Sequence, residues 1–296
     1  MMCPATFTKC VALAFLFVGG LGISASQATA RSPSELGLAL DLGGQTLRLS
    51  ENTKAADQSD LETARRAFMK WPIERRRDIQ VLLTVLGYWP AVAGDGFGRK
   101  LWQAIKDYQG ANGITPDGIL TDGGYERLLE LASPNLRLWK LERVLHPATG
   151  TPLWIPRNLA HSTQVTETGM RYGGGDEGVL VFFDYHPNLT IDDGFRASQL
   201  ADAKTGFTTD YKVIKDRFFA LSSHNNNSSQ YTRYENIGSG IVGFIIFWPS
   251  TSEFHGERIA IVMSDLFRSE VEMGIRRSPP MPKNDLVAKK PSPTAP

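Results

Sequence analysis

The sequence predicts an α+β chain, with a small helical unit first and then a unit built on an antiparallel sheet with helices packed against it. Three features carry that expectation. Apolar residues recur at helical spacing three times between residues 72 and 132. Runs rich in β-branched and aromatic residues, separated by turn formers, fill much of 150–250. A last apolar stripe, Ile259, Val262, Met263, Leu266 and Phe267, restores the helical period near the end. The 296 residues leave room for two modest domains with tails, and 42% hydrophobic with 21% charged residues is a globular composition. The 32 basic and 31 acidic side chains nearly cancel, so no global field draws the protein to nucleic acid, which is excluded as an expected partner.

The chain opens with Lys9, an apolar run from Val11 to Ile23 interrupted by glycines, and the small-residue pair Ala28-Thr29-Ala30. This is the pattern of a secretory signal peptide over 1–30 with cleavage after Ala30, and it is too short and glycine-broken for a stable membrane span. Removing it takes away one basic residue and no acidic one, leaving 31 against 31, and takes both cysteines, Cys3 and Cys10. The exported chain would have no thiol, which excludes disulfides, cysteine-ligated zinc and a cysteine nucleophile. The expected location is the periplasm or the extracellular side. Residues 31–59 mix Ser, Gly and charge without sustained period and predict a linker whose tail turns helical near Asp60. At the far end, 278–296 is dense in proline and predicts a disordered tail.

The first folded unit is expected over 60–135. Pro72 suits a first helical turn, Ile79, Leu82, Leu83 and Leu86 form one stripe, and Gly87 is the stop. A second helix carries Phe97, Leu101, Ala104, Ile105 and Tyr108 and ends at Gly110 or Gly113; a third starts at Thr121 as N-cap and carries Tyr125, Leu128, Leu129 and Ala132. Asp95-Gly96 precedes the second helix and Asp117-Gly118 the third. Each pair suits a tight turn, in which Asp bonds nearby backbone and Gly accepts positive φ.

Together, Ile79-Gln80, Leu83, Leu86-Gly87-Tyr88-Trp89, Gly94-Asp95-Gly96-Phe97-Gly98, Ala104-Ile105, Tyr108-Gln109, Gly113, Asp117-Gly118 and Leu120-Thr121 are ordered as in a known family. This stretch, about 72–132, resembles the small three-helix peptidoglycan-binding domain often attached to bacterial cell-wall hydrolases. The resemblance implies a non-catalytic domain whose loops and helix ends form a shallow groove for glycan or stem peptide. Carried over by position, Trp89, Asp95, Gly96, Phe97, Gly98, Asp117 and Gly118 are the implied ligand-binding residues, an indole face with carboxylates and turn amides that bond hydroxyl, amide and ammonium groups. Phe97 also lies on the second helix's apolar stripe, which favours burial of its ring. Two departures stand out: Asp95-Gly96-Phe97-Gly98 is contiguous where the family places one residue between the two pairs, and Leu101 stands where a polar residue is common.

The second unit is expected over 150–275. Gly178 to Phe183 reads as a buried strand, Asp193 to Ala203 as a short helix, and Tyr211 to Leu221, Gln230 to Tyr234 and Ile241 to Trp248 as three strands of a meander. Asn225 to Ser229 and Gly238-Ser239-Gly240 supply its turns. In element order and in Tyr211-Lys212-Val213, Phe218-Phe219, Tyr231-Thr232-Arg233-Tyr234 and Gly243-Phe244 this half is similar to an uncharacterised domain of exported bacterial proteins, which implies a fold and no role.

Chemistry is sparse. His146, His161, His186, His224 and His255 show no i, i+4 pair and no HExxH context, so neither metal nor other cofactor is expected. No GxSxG or Ser-x-x-Lys supports a serine hydrolase. Glu167, Asp184 and Glu235 are nominal carboxylates for a glycan-cleaving site, raised by no spacing. Tyr231 with Arg233, or Thr232 with Tyr234, could present a ligand platform on one strand face, against the plainer reading of an amphipathic strand. Arg75-Arg76-Arg77 reads as a solvated helix face. No catalytic residue is assigned. The expectation is an exported, non-catalytic peptidoglycan-binding protein that tethers an α+β unit for a second envelope protein. A peptidoglycan hydrolase, or accessory hydrolase, with its site in the second unit stands as one alternative, and a regulator or inhibitor of a wall enzyme as another.

Overall fold

A computed structural model describes residues 45–174, 178–250, 255–274 and 276–282, with side chains from residue 57 onward. The expected signal peptide 1–30, residues 31–44 of the expected linker and residues 283–296 of the expected tail lie outside the described residues. The elements of the helical unit are α1 (Gln45–Met69), α2 (Ile73–Leu86), α3 (Arg99–Ala111) and α4 (Asp122–Trp139). The sheet unit follows with β1 (Leu141–Leu145), β2 (Pro152–Pro156), β3 (Thr163–Val165), β4 (Gly169–Gly173), β5 (Leu180–Pro187), α5 (Ile191–Lys204), β6 (Thr208–Lys215), β7 (Phe218–His224), β8 (Ser228–Asn236), β9 (Gly240–Pro249) and α6 (Gly256–Val271). The α+β reading holds.

The three expected helices form where their stripes predicted. Gly87 ends α2 in the left-handed region at φ 89°, with its N–H bonded to Thr84 O at 2.9 Å and that of Tyr88 to Leu83 O at 2.8 Å. Thr121 caps α4 by accepting from Gly124 N at 3.1 Å. Two boundaries differ from expectation. Residues 45–59, expected as linker, are helical in α1, whose Leu61, Ala64 and Phe68 are buried in the common core; tertiary packing supplies what the weak local period does not show. Helix α4 continues past 135 through Pro134 to Trp139, because Leu136 and Trp139 are buried and outweigh the missing proline N–H. Lys140 then turns left-handed and β1 starts at once, so the expected boundary region is a helix end and a β1–β2 hairpin.

All strand pairs are antiparallel, and the large sheet has the order β3-β4-β5-β9-β8-β7-β6. The expected strand Tyr211 to Leu221 is two strands turning at Asp216-Arg217, a turn made without glycine. The turn at Gly238-Ser239-Gly240 is a hairpin, with Asn236 Oδ1 accepting from Gly238 N at 2.7 Å. Helix α6 covers one face, packing Ile259, Val262, Met263 and Phe267 with Phe183, Val242, Phe244 and Ile246; α5 covers the other with Phe219, Leu221, Ile241 and Ile245. Strand β8 is therefore buried on both faces, and Tyr231, Thr232, Arg233 and Tyr234 are all at most 8% exposed. This overturns both the ligand platform and the half-exposed strand.

The two units are not separate bodies on a tether. One apolar cluster runs from Leu61 through the helical unit to Phe267, and α6 packs on α2 as well as on β2. The start of the expected disordered tail is docked, with Pro280 buried and Met281 packed on the core, and Arg277, just before it, pairs with Asp78 of α2 and Asp265 of α6. Buried counter-charges hold a proline-rich segment that forms no regular element.

Candidate ligand-binding site

Two loops flank α3, and each is gripped by a buried glutamine. Between α2 and α3, Gln80 donates to Gly94 O at 2.6 Å and accepts from Gly94 N at 3.0 Å. Between α3 and α4, Gln109 donates to Asp117 Oδ1 at 2.9 Å and Ile119 O at 3.0 Å, and accepts from Gly118 N at 2.8 Å. A primary amide suits this task because it has a donor and an acceptor on one planar group and closes a two-way bond with a peptide. The two glutamines are 1% and 2% exposed, so the bonds form away from water, where an unmade partner costs most. Both stood in the motif run, without a role; the signal that could have singled them out was a polar residue on an otherwise apolar helix stripe.

The second loop rests on Trp102. Its indole N–H donates to Asp117 O at 3.0 Å, and Gly118, at φ 77°, lies so close that a Cβ there would come within 2.1 Å of the ring. Gly118 is thus a close-approach residue, buried under the loop rather than offered to a ligand. Asp117 itself is exposed, and only Oδ1 is engaged in the bonds described, to Gln109 and to Ile119 N at 2.8 Å. Lys106 lies 4.2 Å above the Trp102 ring, which places a cation beside that carboxylate-bearing loop.

The first loop is more heavily committed. Asp95 accepts from Arg77 Nε at 2.8 Å, and its carbonyl accepts from Arg76 at 2.6 Å. Arg65 of α1 donates to Phe97 O at 3.1 Å, and Arg268 of α6 donates to Ala93 O. Phe97 is 6% exposed with its ring 4.9 Å from Phe68, buried as expected, but it precedes the N-cap Gly98 and so packs from the loop and not from the stripe of the helix itself. Gly98 is the extended N-cap of α3. Gly96 is exposed at the loop tip. Trp89, expected as a free indole face, is only partly exposed and packs on the core, with its indole N–H buried. Of the seven implied residues, then, Asp95, Gly96, Gly98 and Asp117 reach solvent fully, Trp89 in part, while Phe97 and Gly118 shape the loops.

Residues 73–128 match a family model described as "Putative peptidoglycan binding domain". The match spans about a fifth of the chain and covers α2, α3, both glutamine-gripped loops and the first part of α4. It supports peptidoglycan binding by this unit. No curated protein and no solved structure matches the chain. Helix α1 and the whole sheet unit lie outside the matched segment, yet the peptidoglycan-binding unit shares its core with both.

The three arginines of α2 are less solvated than expected, Arg77 being buried and Arg75 and Arg76 only partly exposed. Arg75 is stacked between Trp71, at 3.9 Å, and Tyr125, at 4.2 Å, and pairs with Asp122 at 3.0 Å. Burial, the largest influence, pushes the Tyr125 phenol above its ordinary value.

In the sheet unit two of the three nominal carboxylates, Asp184 and Glu235, are buried with internal partners, while Glu167 is exposed. Glu235 pairs with Arg233 in the α6-facing core, and Arg233 stacks on Phe218 at 4.3 Å. Asp184 accepts from Thr168 Oγ1 at 2.6 Å and from the Tyr234 hydroxyl, and burial pushes its carboxyl up to about 6. Gly243 is directly opposite both Asp184 and Tyr234 in register, and a side chain there would strike the Tyr234 ring. Burial, reinforced by neighbouring His146, holds His186 down to about 4. Among the described residues no group of three or more His, Cys, Asp or Glu is arranged to hold a metal ion, and no helix is long and apolar enough to cross a membrane.

Proposed function

We propose that this is an exported, non-catalytic peptidoglycan-binding protein of the periplasm or extracellular side, which holds its α+β unit in the cell envelope for a second envelope protein. The observation that carries the reading is the family match over 73–128, on a unit whose two Asp-Gly loops are built by the same glutamine device. The exposed Asp117 carboxylate, whose Oδ2 makes none of the bonds that fix its loop, supplies a hydrogen-bonding group for glycan hydroxyls and stem-peptide amides. The secretory pattern of residues 1–30 supports export. The internal pairing of Asp184 and Glu235 supports a sheet unit that presents a surface rather than a reacting group. Because the units share a core, the sheet unit would be held at a fixed orientation to the wall instead of sampling a volume around it.

Co-sedimentation of the chain with purified sacculi tests this. Enrichment in the pellet that falls several-fold in Asp117→Ala, with the variant still folded at the assay temperature, is the expected result. No enrichment of the folded wild-type chain would sink the binding claim. Release of soluble muropeptides from the same sacculi would sink the non-catalytic one.

A further inference from the structure

The two loops of the peptidoglycan-binding unit answer to different parts of the molecule. Loop 112–121 is fixed from within the matched segment, by Gln109 and Trp102 of α3. Loop 90–98 is fixed partly from outside it, through Phe97 O by Arg65 of α1 and through Ala93 O by Arg268 of α6. Arg268 is itself oriented by Asp265 at 3.4 Å and Glu272 at 3.8 Å. Asp265, 1% exposed, receives Arg277 from the docked segment 276–282, and Arg277 reaches across to Asp78 of α2 at 3.0 Å. The preceding residue on α2, Arg77, holds Asp95. Ion pairs and one peptide carbonyl thus connect α6 to the first loop along two routes. A third contact fixes the opposite end of α2. Arg258 of α6 donates to Val85 O at 3.3 Å and fills the space beside Gly87 that a Cβ would need.

We infer that docking of α6 and segment 276–282 onto α2 sets the conformation of loop 90–98, so that wall-fragment affinity and the α6 dock are coupled. Arg268 and Arg277 act as positioning residues for a groove they do not line. The inference rests on the peptidoglycan-binding reading and specifies how that site is regulated. Coupling of this kind is reciprocal: whatever undocks α6 weakens binding, and bound ligand tightens the dock. A partner that grips the sheet unit near α6 would therefore modulate hold on the wall without touching the groove.

The test uses the full chain and two measurements, binding to purified sacculi and amide hydrogen exchange with and without a soluble muropeptide digest. Arg268→Gln removes the Ala93 contact, and Arg277→Gln removes the Asp78–Asp265 bridge. Arg143→Gln, which breaks the ion pair to Glu270 on the same helix, controls for general loosening of α6. The expected result is roughly a tenfold loss of affinity in the first two variants, within the usual range for coupled sites. It should come with faster exchange at 91–98, near-wild-type binding in Arg143→Gln, and slower exchange at α6 when digest binds the wild type. A purely structural role for Arg268 would not produce that ligand-induced protection of α6. Wild-type affinity in Arg268→Gln and Arg277→Gln, or α6 exchange indifferent to ligand, overturns the coupling alone. A wild-type chain that ignores sacculi overturns the binding reading and the coupling with it, while Asp117→Ala binding loss beside unaffected arginine variants upholds the first and rejects the second.

Discussion

Replacing Asp184 by Asn should make the protein more acid-sensitive, because the wild-type carboxyl contributes to stability in the direction opposite to ordinary acid denaturation. Asp184 is 7% exposed, its two described partners are neutral hydroxyls, and its carboxyl is pushed up to about 6 from 3.8. Between those two values the folded chain carries a proton that the unfolded chain has released, so folding is favoured as pH falls through the window. Above it the charge is present and desolvated, a burden of about 3 kcal/mol at 1.36 kcal/mol per pH unit. By pH 4.5 about 2 kcal/mol of that is recovered. The neighbouring His186, held down to about 4 from 6.5, has the opposite sign: the unfolded chain gains a proton that the folded chain refuses, and about 2.5 kcal/mol is lost by pH 4.5. In the wild type the two effects offset. In Asp184→Asn only the histidine effect remains, so the stability of the variant relative to wild type should fall by about 2 kcal/mol between pH 7.5 and 4.5. Urea unfolding of both chains at four pH values in that interval reads the difference directly. Any pH-independent change from the amide's geometry drops out of the comparison. A difference that stays flat across the interval would refute the assignment of a desolvated, proton-hungry carboxyl at this position.

Gly118→Ala should destabilise by about 3 kcal/mol in urea unfolding, combining a left-handed backbone with overpacking against Trp102; a loss under about 0.5 would show that the loop gives way cheaply. Glu235→Gln should cost about 3 to 5 kcal/mol, because it leaves Arg233 buried without its charge partner, while Arg233→Met with Glu235→Leu should recover most of it. Equal losses in single and double variants would count against that account. Gln109→Ala orphans the buried Gly118 N–H and should cost about 2 kcal/mol, together with faster amide exchange at 117–119. Unchanged exchange there would remove the clamp role.

Much of this architecture was legible in local pattern. The stripes of α2, α3, α4 and α6 gave helices in the right places because each element buries one face of regular period. Thr121, Gly87 and the Gly238-Ser239-Gly240 turn acted as their side chains dictate. What stayed hidden depends on partners distant in sequence. Helix α1 earns its place through Phe68 on Phe97, and α4 runs through Pro134 because Trp139 has a pocket that no window around it shows. The split of β6 from β7 turns on Asp216-Arg217, without the glycine that usually marks such a corner. At the site, sequence supplied the loops but not the state of their side chains. Asp95 lies beside Arg77, and Trp89 against the core, only after α2 and its neighbours have packed.

The contiguous Asp95-Gly96-Phe97-Gly98 run bears on which loop reads the ligand. With no spacer, Phe97 follows the loop tip directly and is buried against Phe68, while Arg65 takes its carbonyl. The loop is thereby drawn toward α1, a helix outside the matched segment, and Asp95 is left facing Arg77. Its carbonyls at Ala93, Gly94, Asp95 and Phe97 are all bonded within the protein. A ligand competing for those groups must break bonds already made, which leaves little net gain. Among the described residues no arginine or lysine is seen bonded to Asp117, and its Oδ2 makes none of the bonds that fix its own loop. The direct polar contact should therefore come chiefly from Asp117 of the second loop, with Lys106 on the adjacent Trp102 ring as its cationic neighbour, while the first loop acts as the wall of the groove whose position the α6 dock sets. Asp117→Ala should then weaken sacculus binding more than Asp95→Ala, whose main effect should be to release Arg77 and lower stability. The reverse order, with both variants folded, would return the reading role to the first loop.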